Sequence, residues 1–227
     1  MNKIFRILIV LIIILTPYSA KSHVKHYEEL NRIKFDIYRN NNHIGSHVFS
    51  FKKEAEKLFV ESEINFKIKK LGVVLYKYYV KGVEVYKDGI LIKFNSKTNQ
   101  NGKEKYVNIK FENNKYLIDG SSHQGNVPLD YLLGTWWNHS IVEAKAQISA
   151  VSGRIIKQKV TFLGKETIKF GDREYKTLHY NFSSTDQSLA KGKKLNTDVW
   201  YDETTLNWVK ASFKKKGKWE YKLLSIE

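Results

Sequence analysis

The sequence predicts an all-β, mainly antiparallel protein: a strongly curved sheet or half-barrel of about a dozen strands with a short helical plug. Three observations predict it. Apolar and polar residues alternate over one short run after another. Pairs such as Asn-Gly and Asp-Gly separate the runs at hairpin spacing. One central segment, LLGTWWNHS (Leu132 to Ser140), breaks the pattern just after Pro128.

The amino terminus stands apart from the strands. Lys3 and Arg6 precede the unbroken apolar run Ile7 to Leu15, and TPYSAKS follows it, which is the order of a secretory leader. The run is shorter than the roughly 20 apolar residues a bilayer span needs. Cleavage is expected after Ala20 or Ser22. Residues 1–22 are then the leader, and residues 23–227 form a single curved antiparallel β domain in the periplasm. The chain has no cysteine, so neither lipid attachment at a cysteine nor a disulfide is expected, and stability must come from core and strand pairing.

Ile33 to Arg39 and Ile44 to Lys52 read as a hairpin turned at Asn40-Asn41-Asn42-His43. Leu58, Val60, Ile64, Phe66 and Ile68 then share one strand face, with Glu61, Glu63, Asn65 and Lys67 on the other. Val73 to Lys81 presents Tyr76, Tyr78 and Val80 together, and Val83 to Tyr86 leads into Asp88-Gly89. Ile90, Ile92 and Phe94 alternate next, Asn101-Gly102 turns the chain, and Val107, Ile109 and Phe111 alternate after it. Lys115 to Ile118 is one more short strand. Ser121 to Asn126 reads as a loop, and Pro128 to Leu133 has the proline start and leucine spacing of a short helix. Strands resume over Ala146 to Val151, Arg154 to Leu163, Thr167 to Phe170, Arg173 to Ser183, Leu195 to Tyr201, Trp208 to Lys215 and Trp219 to Ile226. Ser184 to Lys194 carries no apolar period, and a helix over Val24 to Arg32 precedes the first strand.

Several phrases occur together in order: FDIYRNNNHIG, LGVVLYKYYVKGVEVYKDGIL, TWWN, SAVSGRI and NTDVWYDETTLNWVKASFKKKGKWEY. From Phe35 to Tyr221 the chain resembles an uncharacterised family of exported bacterial proteins, a domain of unknown function. That family is related in pattern to periplasmic domains with the half-barrel of lipoprotein carriers. The resemblance implies a fold and a compartment and transfers no catalytic residue. Tyr86 stands where the pattern has a tryptophan after Glu84-Val85.

Charge and chemistry narrow the function classes. Removing Lys3, Arg6 and Lys21 takes 39 basic residues to 36 against 23 acidic ones, a charge of +13 on the mature chain. Such a charge favours an anionic membrane surface or acidic polymers. The lysine clusters at Lys67 to Lys70, Lys191 to Lys194 and Lys214 to Lys218 lie at separate strand ends and loops, which is also how a solvated surface looks. The histidines form neither HxH nor HExxH, so no metal and no cofactor is expected. Asp130, His139 and Ser140 compose a triad on paper, without GxSxG. Aromatics share parity with aliphatic residues rather than with lysines, which speaks against a nucleic-acid platform.

Adjacent strand residues point to opposite faces, so Trp136 and Trp137 cannot both enter the core from one strand. The expected geometry is a non-strand crossing. Leu132, Leu133 and Trp136 plug the open mouth, Trp137 lies near the rim, and Asn138 and His139 satisfy backbone groups or cap a helical turn. Thr177, His179 and Asn181 share a face, either on the surface or as a polar patch inside the barrel. The reading is a non-catalytic carrier for an apolar or amphiphilic, lipid-like ligand. Its candidate contacts are Trp136, Trp137, Asn138, His139, Leu133, Tyr76, Tyr78 and Trp200. The alternatives are a structural or interaction module with a filled core and a hydrolase of the envelope. The protein partner, if there is one, is left open.

Overall fold

The computed structural model describes residues 25–227. The leader with its cleavage positions, and His23, lie outside the described residues. The helix expected before the first strand is one short 3-10 segment, Lys25–Glu29, because Arg32 already belongs to a strand.

Eight strands run in sequence as antiparallel neighbours. They are β1 (Arg32–Arg39), β2 (Asn42–Glu54), β3 (Lys57–Lys70), β4 (Val73–Lys87), β5 (Ile90–Gln100), β6 (Lys103–Glu112), β7 (Lys115–Gly120) and β8 (His123–Val127). Seven more follow: β9 (Tyr131–Leu133), β10 (Ala146–Ile148), β11 (Ile155–Phe170), β12 (Arg173–Ser184), β13 (Asn196–Asp202), β14 (Trp208–Lys214) and β15 (Lys218–Ile226). Asn40, Asn41, Asn101, Asn113 and Asn114 all have φ between 48° and 65°, the left-handed region that asparagine tolerates in tight hairpins.

All fifteen strands join one sheet in the order β8-β7-β6-β5-β4-β3-β2-β1-β15-β14-β13-β12-β11-β10-β9. Every pairing is antiparallel except β9 with β10. The two edges, β8 and β9, are consecutive in sequence. Laid flat, neighbours spaced about 4.8 Å apart would put these edges roughly 67 Å from each other. The link Pro128 to Asp130 can span only about 14 Å. The sheet must therefore curl until its edges meet, and the result is a nearly closed barrel. A seam shows the approach: Ser122 N donates to Ser152 O at 2.8 Å and Ser96 Oγ to Ala150 O at 2.6 Å. Gly120 lies so close to the turn after β10 that a Cβ there would sit 2.9 Å from Ser152 O.

The alternation expected for β3 is present, with Leu58, Val60 and Phe66 buried and Lys57, Asn65 and Lys67 exposed. On β5 the expected face is displaced. Leu91 and Phe94 are buried while Ile90 is exposed, because the register moves from Val85↔Lys93 to Tyr86↔Leu91 and leaves Ile92 in a bulge. The two strands expected over Arg154 to Leu163 and Thr167 to Phe170 are one, β11, which starts at Ile155 and is bulged between Phe162 and Gly164. The loop expected over Ser121 to Asn126 is corrected: from His123 on it is strand β8. The short helix expected over Pro128 to Leu133 is also corrected: Leu132 and Leu133 pair in parallel with Gln147 and Ile148. Ladder bonds to β10 replace the bonds a helix would have made. The helical element of this region is instead the 3-10 turn His139–Val142.

Candidate ligand-binding site

A parallel pair needs a crossover, and residues 134–145 make it between β9 and β10. The crossover enters the barrel. Trp137 is fully buried, edge-on to Tyr27 at 4.9 Å and to Tyr86 at 5.5 Å, with Phe51 at 5.4 Å. Its Nε1 donates to Glu84 Oε1 at 3.0 Å, and Tyr86 donates its hydroxyl proton to Glu84 Oε2 at 2.6 Å. Burial raises the Glu84 carboxyl to about 7, against the lowering effect of those two donors. Tyr27 and Tyr201 anchor the backbone by donating to the carbonyls of Trp137 and Trp136.

This placement reverses the expected roles of the two indoles. Trp136 has φ 61°, a conformation uncommon for a bulky residue, and the chain turns sharply there. The turn sends Trp137 into the interior and leaves Trp136 half-buried against Trp208 (5.6 Å) and Tyr221 (6.3 Å). Asn138 caps the 3-10 turn by accepting from Ser140 N at 3.0 Å. His139 is buried edge-on to Tyr201 at 4.7 Å, and Leu133 is part of the core. Asp130, the acid of the paper triad, pairs with Lys145 at 2.7 Å.

Trp136 belongs at the same time to an aromatic series at one end of the barrel. Phe66 stacks on Tyr78 (4.7 Å) and Tyr76 (6.2 Å) and meets Trp219 edge-on (5.3 Å). Trp219 stacks on Phe213 (5.8 Å, 8°), Phe213 adjoins Tyr221, and Tyr221 adjoins Trp136. Tyr76 and Tyr78 are thus linked to Trp136 through rings of β3, β14 and β15. Beside this series opens a groove of about 880 Å³. Trp136, Ile156, Leu195 and Phe213 give it an apolar floor; Arg154, Lys193, Lys194 and Lys214 to Lys216 give it a basic rim, and among the described residues no carboxylate lines it. Lys105 of β6 belongs to the same positive region. Its ammonium is held below its ordinary value first by burial and then by the charges of Lys103, Lys215 and Arg154. A smaller space of about 130 Å³ is bounded by Tyr86, Gly89, Leu132, Leu133 and Asn138.

Trp200 does not join the other candidates. Its neighbours Val199 and Tyr201 enter the core, so Trp200 faces outward with Thr177, His179 and Asn181. His179 stacks on it at 4.2 Å and lies between Glu166 (2.9 Å) and Asp198 (3.4 Å), while Lys210 Nζ sits 4.5 Å above the indole. The polar face of β12 therefore lies on the outer side of the sheet, where Thr177 (0% exposed) and Trp200 (7%) are covered by neighbouring side chains. Sequence reasoning missed Phe213, Trp219, Arg154, Lys193 and Lys215. Their runs were visible, but only the closure of the sheet brings the strand ends that carry them to one mouth.

A family model described as a domain of unknown function, DUF6134, matches residues 35–224. No curated protein matches the chain. Among solved structures, the chain is similar to the crystal structure of a β-barrel-like protein of the domain of unknown function DUF1849 from Brucella abortus. The TM-score is 0.59 at 10% identity, with 87% of this chain and 98% of that one covered. That likeness supports the barrel-like fold alone. A protein with a YmcC-like fold from Bacteroides fragilis aligns at TM-score 0.37 and 10% identity, over 86% of this chain and 94% of that one, and adds nothing to the fold assignment.

Proposed function

We propose, for a chain that belongs to the DUF6134 family and so comes with no assigned activity, that it is a non-catalytic carrier of an amphiphile with an anionic head. One observation carries the reading: the mouth groove joins an apolar, aromatic floor to a rim of lysine and arginine with no carboxylate among the described residues that line it. Its volume falls within the usual range for a small-molecule site, roughly 300 to 1,000 Å³. The apolar tail lies along Trp136, Phe213, Ile156 and Leu195, and the head meets Arg154 and Lys215. Because Trp137 and a continuous cluster of buried side chains occupy the interior, the ligand lies across the mouth rather than deep in the barrel. The leader read from the sequence makes the periplasm the compartment, and amino-terminal sequencing of the exported protein checks cleavage after Ala20 or Ser22.

Lipid extraction followed by mass spectrometry, together with titration of oleate and a lysophosphatidylglycerol against tryptophan fluorescence, tests the proposal. Saturable binding that weakens in Arg154→Gln/Lys215→Gln supports it. Purified protein that carries no lipid and binds neither probe overturns it.

The filled interior favours a second reading, a structural or interaction module of the envelope. On that reading Trp136→Ala alters stability alone, and no amphiphile binds at any concentration below its micelle threshold.

A further inference from the structure

The β3–β4 hairpin runs past the aromatic mouth and ends in the apolar tip Leu71-Gly72-Val73-Val74-Leu75. Leu71 is 95% exposed, Val73 62% and Leu75 55%. These are the most exposed large apolar side chains among the described residues. From the Phe66↔Tyr78 pair to Leu71 there are five residues of strand, so the tip stands roughly 15 Å beyond the mouth. A strand end wet on both faces is ordinarily polar on both, and consecutive exposed apolar residues mark a contact surface.

Two further observations say what covers it. The tip wears a basic collar: Lys67, Lys69, Lys70 and Lys77 are all exposed, and no acidic residue occurs between Asn65 and Lys77. None of these four lysines takes part in an ion pair among the described residues. In addition, Leu71 has φ 49° in the first position of its two-residue turn. Asparagine or glycine fits that conformation, and where other two-residue hairpin turns of this chain adopt it at that position they place Asn40, Ala55, Asp88, Asn101, Asn113 or Gly171 there, none of them a large apolar residue. A branched apolar side chain in a strained position that buries nothing within the molecule implies an external partner.

We propose that the β3–β4 hairpin tip inserts its apolar residues into the interface of an anionic bilayer, with the lysine collar on the phosphate headgroups. The inference goes beyond ligand carriage and stands without it. With the tip in the interface, the groove at the same end of the barrel faces the headgroup layer.

The test is co-sedimentation of the chain, purified in its exported form, with vesicles of phosphatidylcholine alone or of phosphatidylcholine mixed with phosphatidylglycerol. Binding is expected to the mixed vesicles and to fall with salt. Leu71→Asn suits the left-handed turn and is expected to melt at or above the wild-type temperature while losing about tenfold in vesicle partitioning. Lys69→Gln/Lys70→Gln is expected to lose about fivefold per charge, with a flatter salt response. Binding of oleate in the groove is unchanged in both variants, which separates failure at the tip from failure at the groove. Absent binding to mixed vesicles, partitioning unaltered by Leu71→Asn, or dimers in lipid-free buffer that disappear in Leu71→Asn would each overturn the proposal.

Discussion

Glu84 and Trp137 meet inside the barrel, Oε1 accepting from the indole Nε1 at 3.0 Å, although 53 positions separate them in sequence. Both side chains are fully buried. A carboxyl in such a place holds its proton more tightly than it does in the unfolded chain, and its value rises from an ordinary 4.5 to about 7. Folding is then most favoured below pH 4.5, and the contribution is lost as pH climbs toward 7. It amounts to about 3 kcal/mol across that window. Urea denaturation of Glu84→Gln at a series of pH values is expected to lack this decline.

His47 works in the opposite direction. It is buried between Phe49, Trp208 and Tyr221, with Nε2 2.9 Å from Ser62 Oγ, and burial lowers it from 6.5 to about 3. The unfolded chain therefore takes up a proton that the folded protein refuses. Stability is fully present above pH 6.5 and falls as pH drops toward 3, by up to about 5 kcal/mol. Between 4.5 and 6.5 the two slopes oppose each other, so the native protein is expected to show a broad plateau. His47→Leu should leave a stability that only declines with pH over that interval, and Glu84→Gln one that only rises. A plateau retained in both variants would refute the pairing.

The seam of the barrel makes a steric prediction. A Cβ on Gly120 would lie 2.9 Å from Ser152 O and 3.1 Å from the Cα of Gly153, backbone atoms that cannot rotate away. Gly120→Ala is expected to cost about 1 to 3 kcal/mol, as overpacking does. Amide exchange should quicken first in β7, β8 and the turn after β10, where the two ends of the sheet meet.

Much of this fold is legible in the sequence because the strand period is strict wherever one face is buried. Leu58, Val60 and Phe66 show it, and the Asn40-Asn41 turn announces its own hairpin. The misreadings have physical causes. A bulge at Ile92 shifts parity by one residue, and no residue type signals a bulge in advance. Pro128 and two leucines satisfy a helical pattern locally, yet edge pairing with β10 competes for the same backbone groups and prevails. The site was half legible: alternation puts Tyr76 and Tyr78 on one strand face, and the break in the strand pattern singles out Trp136. Their basic rim was not, since Arg154, Lys193 and Lys215 come together only through long-range closure. Trp200 looked equivalent to the other tryptophans, and its position on the opposite face follows from parity alone.

The adjacent indoles supply the sharpest separation between stability and binding. Trp137 is enclosed by Tyr27, Phe51 and Tyr86, and removing it empties a core volume and leaves Glu84 Oε1 without its donor, with only Tyr86 still donating to Oε2. Trp137→Ala is expected to cost about 3 to 5 kcal/mol. Trp137→Phe keeps most of the volume and loses the hydrogen bond, a smaller cost of about 1 to 3 kcal/mol for the unpaired buried acceptor. Trp136 stands at the mouth, half-buried, and its backbone carbonyl, not its ring, holds the Tyr201 hydroxyl at 3.0 Å. Trp136→Ala should therefore be the milder lesion in thermal melts, and Trp136→Gly milder still, because glycine relieves the φ of 61°. Both should weaken binding of an oleate probe in the groove. If Trp136→Gly melts normally and binds oleate as the parent does, the groove floor is not the ligand site.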